Sequence, residues 1–377
     1  MKFLLVQTTA PDHLYTVTNR AIADSLGRLG HVAEVLPAPT GAPLDQIAGA
    51  IHAAAADHVF SLGSFLGGIA ADNGASIFDI LGCGFIGWQF DHPLYTEHNL
   101  VTPMAGRFSV YPNASHAAFA GRLGVTGGSA VLLAGGALLD EPVRAWRDRS
   151  IPILVVATYN GPPERPWDAL RDGSGKALIE AVCGRLAADP EASLAAACDA
   201  ARADFSLGPE MERDLAEPLR RVLTFVRHKD RLDAVKALVD SGLPITLVGD
   251  GWAEHFAERP HLTTRPSVPF VEASRLYNDA RVVLNVNAAN GGCERTIQAM
   301  LAGAAVVSDF TASYAAIGMG AGDLRTFDRA RPETLAGIAA ELLEGDGEQI
   351  AEAGYRCAMG SQLWDHRLAA LLVRIGD

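Results

Sequence analysis

The chain has 377 residues, 49% hydrophobic and 20% charged, with a formal net charge of −13. That length suits two ordinary domains, and that composition suits a well-cored globular protein. Eight basic against twelve acidic residues over 1–150 give −4, leaving −9 for the remainder. With neither part basic, nucleic-acid binding through phosphate neutralisation is not expected, and a grip on anionic lipid is disfavoured.

Five dispersed cysteines, Cys83, Cys183, Cys198, Cys293 and Cys357, show no CxxC spacing. They read neither as a disulfide framework nor as a zinc site. Phe3–Val6 is too short for a signal-peptide core, and no apolar run reaches membrane-spanning length. A cytoplasmic location without a transmembrane segment is the expectation.

Taken in order, Phe3–Gln7 reads as a strand, Thr16–Leu29 as a helix stopped at Gly30, and Val32–Leu36 as a second strand. This βαβ opening lacks a GxGxxG turn, which speaks against a dinucleotide site and a dehydrogenase. Leu44–Ala55 reads as a helix and His58–Leu62 as a strand. Gly63–Ala71 reads as a loop with a helix start, and Ile77–Leu81 as a helix. Gly84–Gln89 is an apolar strand that Asp91-His92-Pro93 ends, since Pro93 bars the ladder from continuing. Phe108–Tyr111 and Val131–Leu133 read as further strands around a helix at Ala114–Leu123. The alternation predicts a doubly wound α/β sheet.

Asp140–Ser150 is charged and reads as an interdomain connection. Ile151–Thr158 opens a second sheet, and about 167–238 reads as helical. Arg227, Lys229 and Arg231 form a basic cluster before a helix, either a solvated face or a source of a phosphate contact. Gly175-Lys176 lacks the earlier glycine of a P-loop. Ile245–Val248 is a strand running into Gly249-Asp250-Gly251-Trp252. Glycines there belong at the crevice of an open α/β sheet. Val268–Phe270 reads as extended and Val271–Asp279 as helical.

The stretch from Arg281 to Asp309 is the most informative. An apolar strand, Arg281–Val286, leads through a polar glycine-bearing loop, Asn287–Gly292, into a helix, Glu294 to Leu301 or Ala302. Gly303 stands where a helix end favours a left-handed residue, and Ala304–Ser308 is a second strand ended by Asp309. This is a βαβ unit with a right-handed crossover. Gly291 and Gly292 allow close backbone approach, and the helix start offers amide donors at a positive dipole end. Arg295 in the first turn opposes that dipole, which an anion would offset. The alternative is an ordinary crossover whose glycines only shape a tight turn.

The run Asn290-Gly291-Gly292-Cys293-Glu294-Arg295-Thr296-Ile297-Gln298, with Ala302-Gly303 and Ser308-Asp309, resembles the donor-binding signature of GT-B glycosyltransferases of the group 1 and CgeB-like families. Glu272–Asn287 and the Gly249–Trp252 turn extend the likeness across roughly 150–309, and Gly30-His31 resembles the opening of their acceptor domains. The signature's two glutamates are amides here, Asn290 and Gln298, which can hydrogen-bond hydroxyls but supply no charge.

The resemblance implies two Rossmann-like doubly wound domains facing across a cleft. An acceptor-side domain would cover 1–145 and a nucleotide-sugar-binding domain 146–360, with a helical insertion at about 167–238. A terminal helix, 361–377, would cross back to the first domain. It implies sugar transfer from a nucleotide-diphosphate sugar to a hydroxyl-bearing acceptor, whether glycan, protein or small molecule, without a cofactor or a bound metal. On the donor side it points to Gly249, Trp252, Phe270, Asn290, Gly291, Gly292, Glu294, Arg295 and Gln298, as base cradle, diphosphate amides and cation, and ribose contact. In the first domain it points to His13, as a base in the first loop, and to His92, as a contact to the donor sugar. Asp91 is the alternative base. His13 suggests inversion of the sugar's stereochemistry, whereas the 281–309 pattern suggests retention. A nucleotide-sugar epimerase on the same fold, and a non-catalytic binding or partner protein, are the other readings.

Overall fold

A computed structural model describes residues 1–8, 13–38, 41–138, 141–189, 191–208, 210–287, 292–309 and 312–376. The chain divides into two compact units, Met1–Ala137 with Leu363–Asp377, and Leu138–Gln362.

The first unit is built on β1 (Lys2–Gln7), β2 (Val32–Pro37), β3 (His58–Leu62), β4 (Gly84–Trp88), β5 (Arg107–Tyr111) and β6 (Gly128–Val131). They form a parallel sheet in the order β2-β1-β3-β4-β5-β6. Central strands such as β1 and β4 are almost wholly buried, as parallel strands covered on both faces must be. The order reverses direction between β1 and β3. Loops leaving the carboxyl ends of those strands diverge there and leave a crevice.

Residues 363–377 return to this unit. The helix Trp364–Gly376 packs Trp364 edge-on to Trp88 at 4.9 Å. Its Asp365 accepts from Ser25 and pairs with Arg28. The close packing requires Gly135, where a Cβ would lie 2.6 Å from the Trp364 amide nitrogen.

The second unit is built on β7 (Ile151–Val156), β8 (Ile245–Val248), β9 (Leu262–Arg265), β10 (Ala280–Asn285), β11 (Ala305–Asp309) and β12 (Arg325–Phe327). Its parallel order is β12-β11-β10-β7-β8-β9. Read from β9, this is the Rossmann order, with the switch point between β7 and β10. The expected helical stretch is a set of separate helices, the longest Ser174–Ala188, Leu194–Phe205 and Ala216–Asp240.

Several local expectations change. β6 begins three residues early, at Gly128, because pairing with Phe108 extends the ladder through Gly128 and Ser129. Residues 63–71 form turns rather than a helix start, with Ser64 and Leu66 at positive φ. β9 and β12 do not announce themselves in sequence, being an edge strand rich in threonine and a strand of 3 residues. Phe270 begins a helix, Phe270–Asp279, instead of ending an extended stretch.

Candidate functional site

The richest electrostatic feature lies at the carboxyl end of the second sheet, at its switch point. β7 ends at Val156 and continues through Thr158 to Gly161. The guanidinium of Arg295 reaches the Val156 carbonyl at 3.5 Å, and that of Arg231 reaches the Thr158 carbonyl at 3.3 Å. Arg231 lies within the helix Ala216–Asp240, not ahead of a helix as the sequence suggested. It is 7% exposed, its Nε has no partner, and no carboxylate lies within ion-pair distance of it among the described residues. Burial first, then the charges of Arg295 and Arg227, lower its pKa to about 9. A small pocket beside it is lined by Thr158, Tyr159, Asn160, His228, Arg231 and Trp252, among others. Burial, then the same two arginines' kin Arg231 and Arg227, keep the His228 imidazole below its ordinary pKa.

Arg295 opens the helix Glu294–Leu301, whose N-cap is Cys293. A thiol is a weaker acceptor than the usual serine, threonine or aspartate cap. Asn287, which follows β10, is held by the end of β11. Asp309, at the end of β11, accepts from the Asn287 backbone N–H at 2.9 Å. Arg329 lies 3.7 Å from Asp309 and 2.6 Å from Asp230, the neighbour of Arg231. All three are nearly buried, with side chains 10% exposed or less.

The expected residues fare differently. Glu294 and Arg295 are partly exposed at the helix start, and Gly292 is buried beside them. Asn290 and Gly291 lie outside the described residues. Gln298 is 2% exposed. Gly249 sits at φ +148, and a Cβ there would fall 2.0 Å from the Ala157 carbonyl oxygen, so the glycine is required by the packing of two backbones. Trp252 is fully buried: its indole N–H donates to the Ala157 carbonyl, and its ring stacks on Phe256. Phe270 is half-buried at its helix start.

In the first unit, His13 is exposed and caps the helix Leu14–Arg28, its Nδ1 accepting from the Tyr15 N–H at 3.2 Å. His92 caps the turn Pro93–Tyr95 in the same way, with Nδ1 accepting from the Leu94 N–H at 3.3 Å. It is 2% exposed, packed edge-on to His116 and Phe119. Burial, then the nearby His116, holds its pKa well below the ordinary imidazole value. An Nδ1 that accepts fixes the neutral tautomer with hydrogen on Nε2. Asp91, between Phe90 and His92, is half-buried at the end of β4.

Sequence reading passed over Arg329 and Asp230 because a buried ion pair across distant segments leaves no local pattern. Among the described residues no group of His, Cys, Asp and Glu is placed to hold a metal ion, and no helix is long and apolar enough to cross a membrane.

Residues 224–373 match the family model described as "Glycosyl transferase-like". No curated protein matches the sequence. Among solved structures the chain is similar to the sucrose-phosphate synthase of Thermosynechococcus elongatus, at 10% identity and TM-score 0.52 over 99% of this chain and 98% of that one. It is similar to Anabaena Alr3699/HepE in complex with UDP-glucose, at 11% identity and TM-score 0.53 over 99% of each chain. It is also similar to an alpha-glucosyltransferase in complex with UDP and a 13-mer DNA, at 9% identity and TM-score 0.54 over 100% of each chain. At such identities the likeness is one of fold. The two parallel six-stranded sheets flanked by helices are those of GT-B glycosyltransferases, as the Asn290–Asp309 resemblance implied.

Proposed function

We propose that this chain, which has the GT-B fold and a glycosyl transferase-like domain over 224–373, transfers a sugar from a nucleotide-diphosphate donor held by its second unit to a hydroxyl of an acceptor held by its first. The observation that carries the reading is Arg231, a buried guanidinium without a carboxylate, beside Arg295 and a weakly capped helix start. Such a group is costly in an empty site and is stabilised when a dianion arrives. As the bond between the anomeric carbon and the diphosphate oxygen breaks, negative charge grows on the diphosphate. Fixed cations and amides at that point favour the transition state without a metal. Uridine nucleotides are the first donors to test, because the Anabaena relative holds UDP-glucose.

The acceptor hydroxyl must lose a proton as its oxygen bonds to the anomeric carbon. With Nδ1 spent on helix caps, His13 and His92 carry hydrogen on Nε2 and present a donor rather than a base. That leaves Asp91, at the end of β4, as the proton acceptor. Asp91→Asn is expected to slow transfer about a hundredfold or more while leaving UDP affinity unchanged. Product analysis with UDP-glucose and a sugar acceptor, alongside a UDP titration, checks both halves. Unchanged turnover in Asp91→Asn would return the base to His13. Conversion of the donor sugar without any acceptor would favour the epimerase reading instead.

A further inference from the structure

A larger cavity, of about 280 Å³, opens at the other end of the second sheet. Arg149 stands before β7 and Gly303 before β11, so the cavity lies at the amino ends of those strands. Arg231 and Arg295 stand at the carboxyl ends, where the donor is proposed to bind. One wall is a single face of the helix Gly347–Ser361, carrying Glu348, Glu352 and Tyr355 at helical spacing. Much of the rest comes from the segment before β7, with Val143, Arg144 and Trp146. Gly303 has to be glycine, since a Cβ there would fall 2.5 Å from Val143 and 2.6 Å from the Arg149 guanidinium. Trp146 and Tyr355 are half-buried, so both rings keep open surface. The volume stands near the lower end for small-molecule sites, about 300–1,000 Å³.

Four charged side chains line this cavity, two acids and two bases. Arg149, 4% exposed, spends all five N–H groups on the backbone carbonyls of Arg144, Tyr277, Ala280 and Ala302. Ala302 closes the helix Glu294–Leu301, whose negative dipole end favours a cation. Arg144 pairs with Asp279 at 3.1 Å, and Glu352 with Arg356 at 3.6 Å. Glu348 stands in the first turn of its helix, where the positive dipole end favours an acid. A cation drawn to the glutamates would lie beside Arg144 and Arg149, and an anion drawn to the arginines beside Glu348 and Glu352. An ion of either sign therefore loses hydration here for little return. What the wall still offers is neutral. Among the described residues no hydrogen bond or ion pair engages the Tyr355 hydroxyl or the Glu348 carboxylate. Both accept, and the hydroxyl also donates. Beside them lie two ring faces, whose negative charge attracts C–H groups polarised by neighbouring oxygens. A wholly apolar ligand would cover the hydroxyl and the carboxylate without satisfying them. A ring with an apolar face and a hydroxylated edge meets both demands.

We propose that this cavity binds a neutral saccharide, a sugar ring laid on Trp146 and Tyr355 with its hydroxyls met by Glu348 and the Tyr355 hydroxyl, at a site separate from the donor crevice. Tryptophan fluorescence of the full chain tests this. Of the five tryptophans Trp146 is half-buried, and the other four are 3% exposed or less. Acrylamide quenching therefore reads Trp146 almost alone, and Trp146→Leu should abolish most of it. Maltose and cellobiose serve as neutral probes, glucose 6-phosphate as an anion, glucosamine as a cation and cyclohexanol as a ring with a single hydroxyl. Either disaccharide is expected to shield Trp146 and to bind about tenfold more tightly than the other three probes, which leave a charge or the polar wall groups unmatched. Tyr355→Leu removes a ring face and a hydroxyl and should weaken that binding about threefold or more. Glu348→Ala should weaken it too, and Glu348→Gln, which keeps an acceptor oxygen, should restore most of it. No shielding by either disaccharide would overturn the proposal. So would equal shielding by an ion or by cyclohexanol, or sugar binding that survives both Tyr355→Leu and Glu348→Ala. UDP is expected to leave the quenching unchanged, and shielding by UDP would overturn the separation from the donor crevice. Thermal shift with nucleotides reads that crevice on its own, so either claim can fail while the other stands.

Discussion

Arg231 carries charge where water barely reaches, 7% exposed with its Nε unpartnered. Two more guanidiniums stand nearby, and burial with their repulsion sets its pKa at about 9. Arg231→Met removes a desolvated charge and keeps an apolar stem of similar length. The empty protein is expected to gain about 1–4 kcal/mol of stability, read by denaturant unfolding. The same variant should lose about thirtyfold or more in UDP affinity, read by calorimetric titration. The sign of the pH dependence follows from the proton. Between about pH 7 and 9 the free side chain and the diphosphate both hold their charge, and affinity is flat. Above it, binding must first recover a proton, and affinity declines. His92 works the other way on stability. Its folded-state pKa lies well below the ordinary value because of burial. The unfolded chain therefore takes up the proton first as pH falls below about 6.5. Stability contributed by neutral His92 is complete above that pH and is lost on acidification. His92→Asn keeps a capping side chain but cannot titrate, so its melting temperature should fall less than that of the wild type between pH 7 and 5.

At the scale of elements, the second crevice is held by ties between segments far apart in sequence. Arg329, after β12, joins Asp230 on the long helix to Asp309 at the end of β11, and Asp309 holds the Asn287 amide where the loop begins. Burial pushes both carboxyls upward, against the opposing pull of Arg329. Arg329→Met leaves two buried carboxylates without their cation and should cost about 3–5 kcal/mol at neutral pH. Each carboxyl would then sit above its unfolded pKa, so the loss should shrink as pH falls and protons neutralise them. Denaturant unfolding at pH 7.5 and 5 reads the difference. The sequence made much of this frame legible. The strand–loop–helix–strand order of 281–309 holds, with the helix at Glu294–Leu301 and Gly303 at φ +72. Hydrophobic runs and a glycine after a helix are local signals, and they survive folding. The Asp230–Arg329–Asp309 tie, the Trp252 indole bond and the histidine caps depend on which residues meet in space. Composition and spacing carry no trace of that, so the indole bond of Trp252 and the capping bond of His13 were not legible in the sequence.

Across the whole molecule the two sheets present opposite chemistry at their carboxyl ends. Arginines gather at the β7–β10 switch point of the second unit, while the half-buried rings of Tyr15, Phe65 and Phe90 follow strands of the first. The acid excess of the chain, −13 overall, does not contradict an anionic donor, because the local charge at the β7 exit is positive. The most direct test of the donor site is a thermal-shift panel of UDP, GDP, ADP, CMP and dTDP, each with its common sugars, on wild type, Arg231→Met and Arg295→Ala. At a ligand concentration of about 100 Kd, binding adds about 2.7 kcal/mol. One nucleotide family should therefore raise the wild-type melting temperature by several degrees and those of the two variants by about a third of that or less. A panel that shifts nothing, or shifts all three proteins equally, would contradict the assignment of this crevice to a nucleotide-sugar.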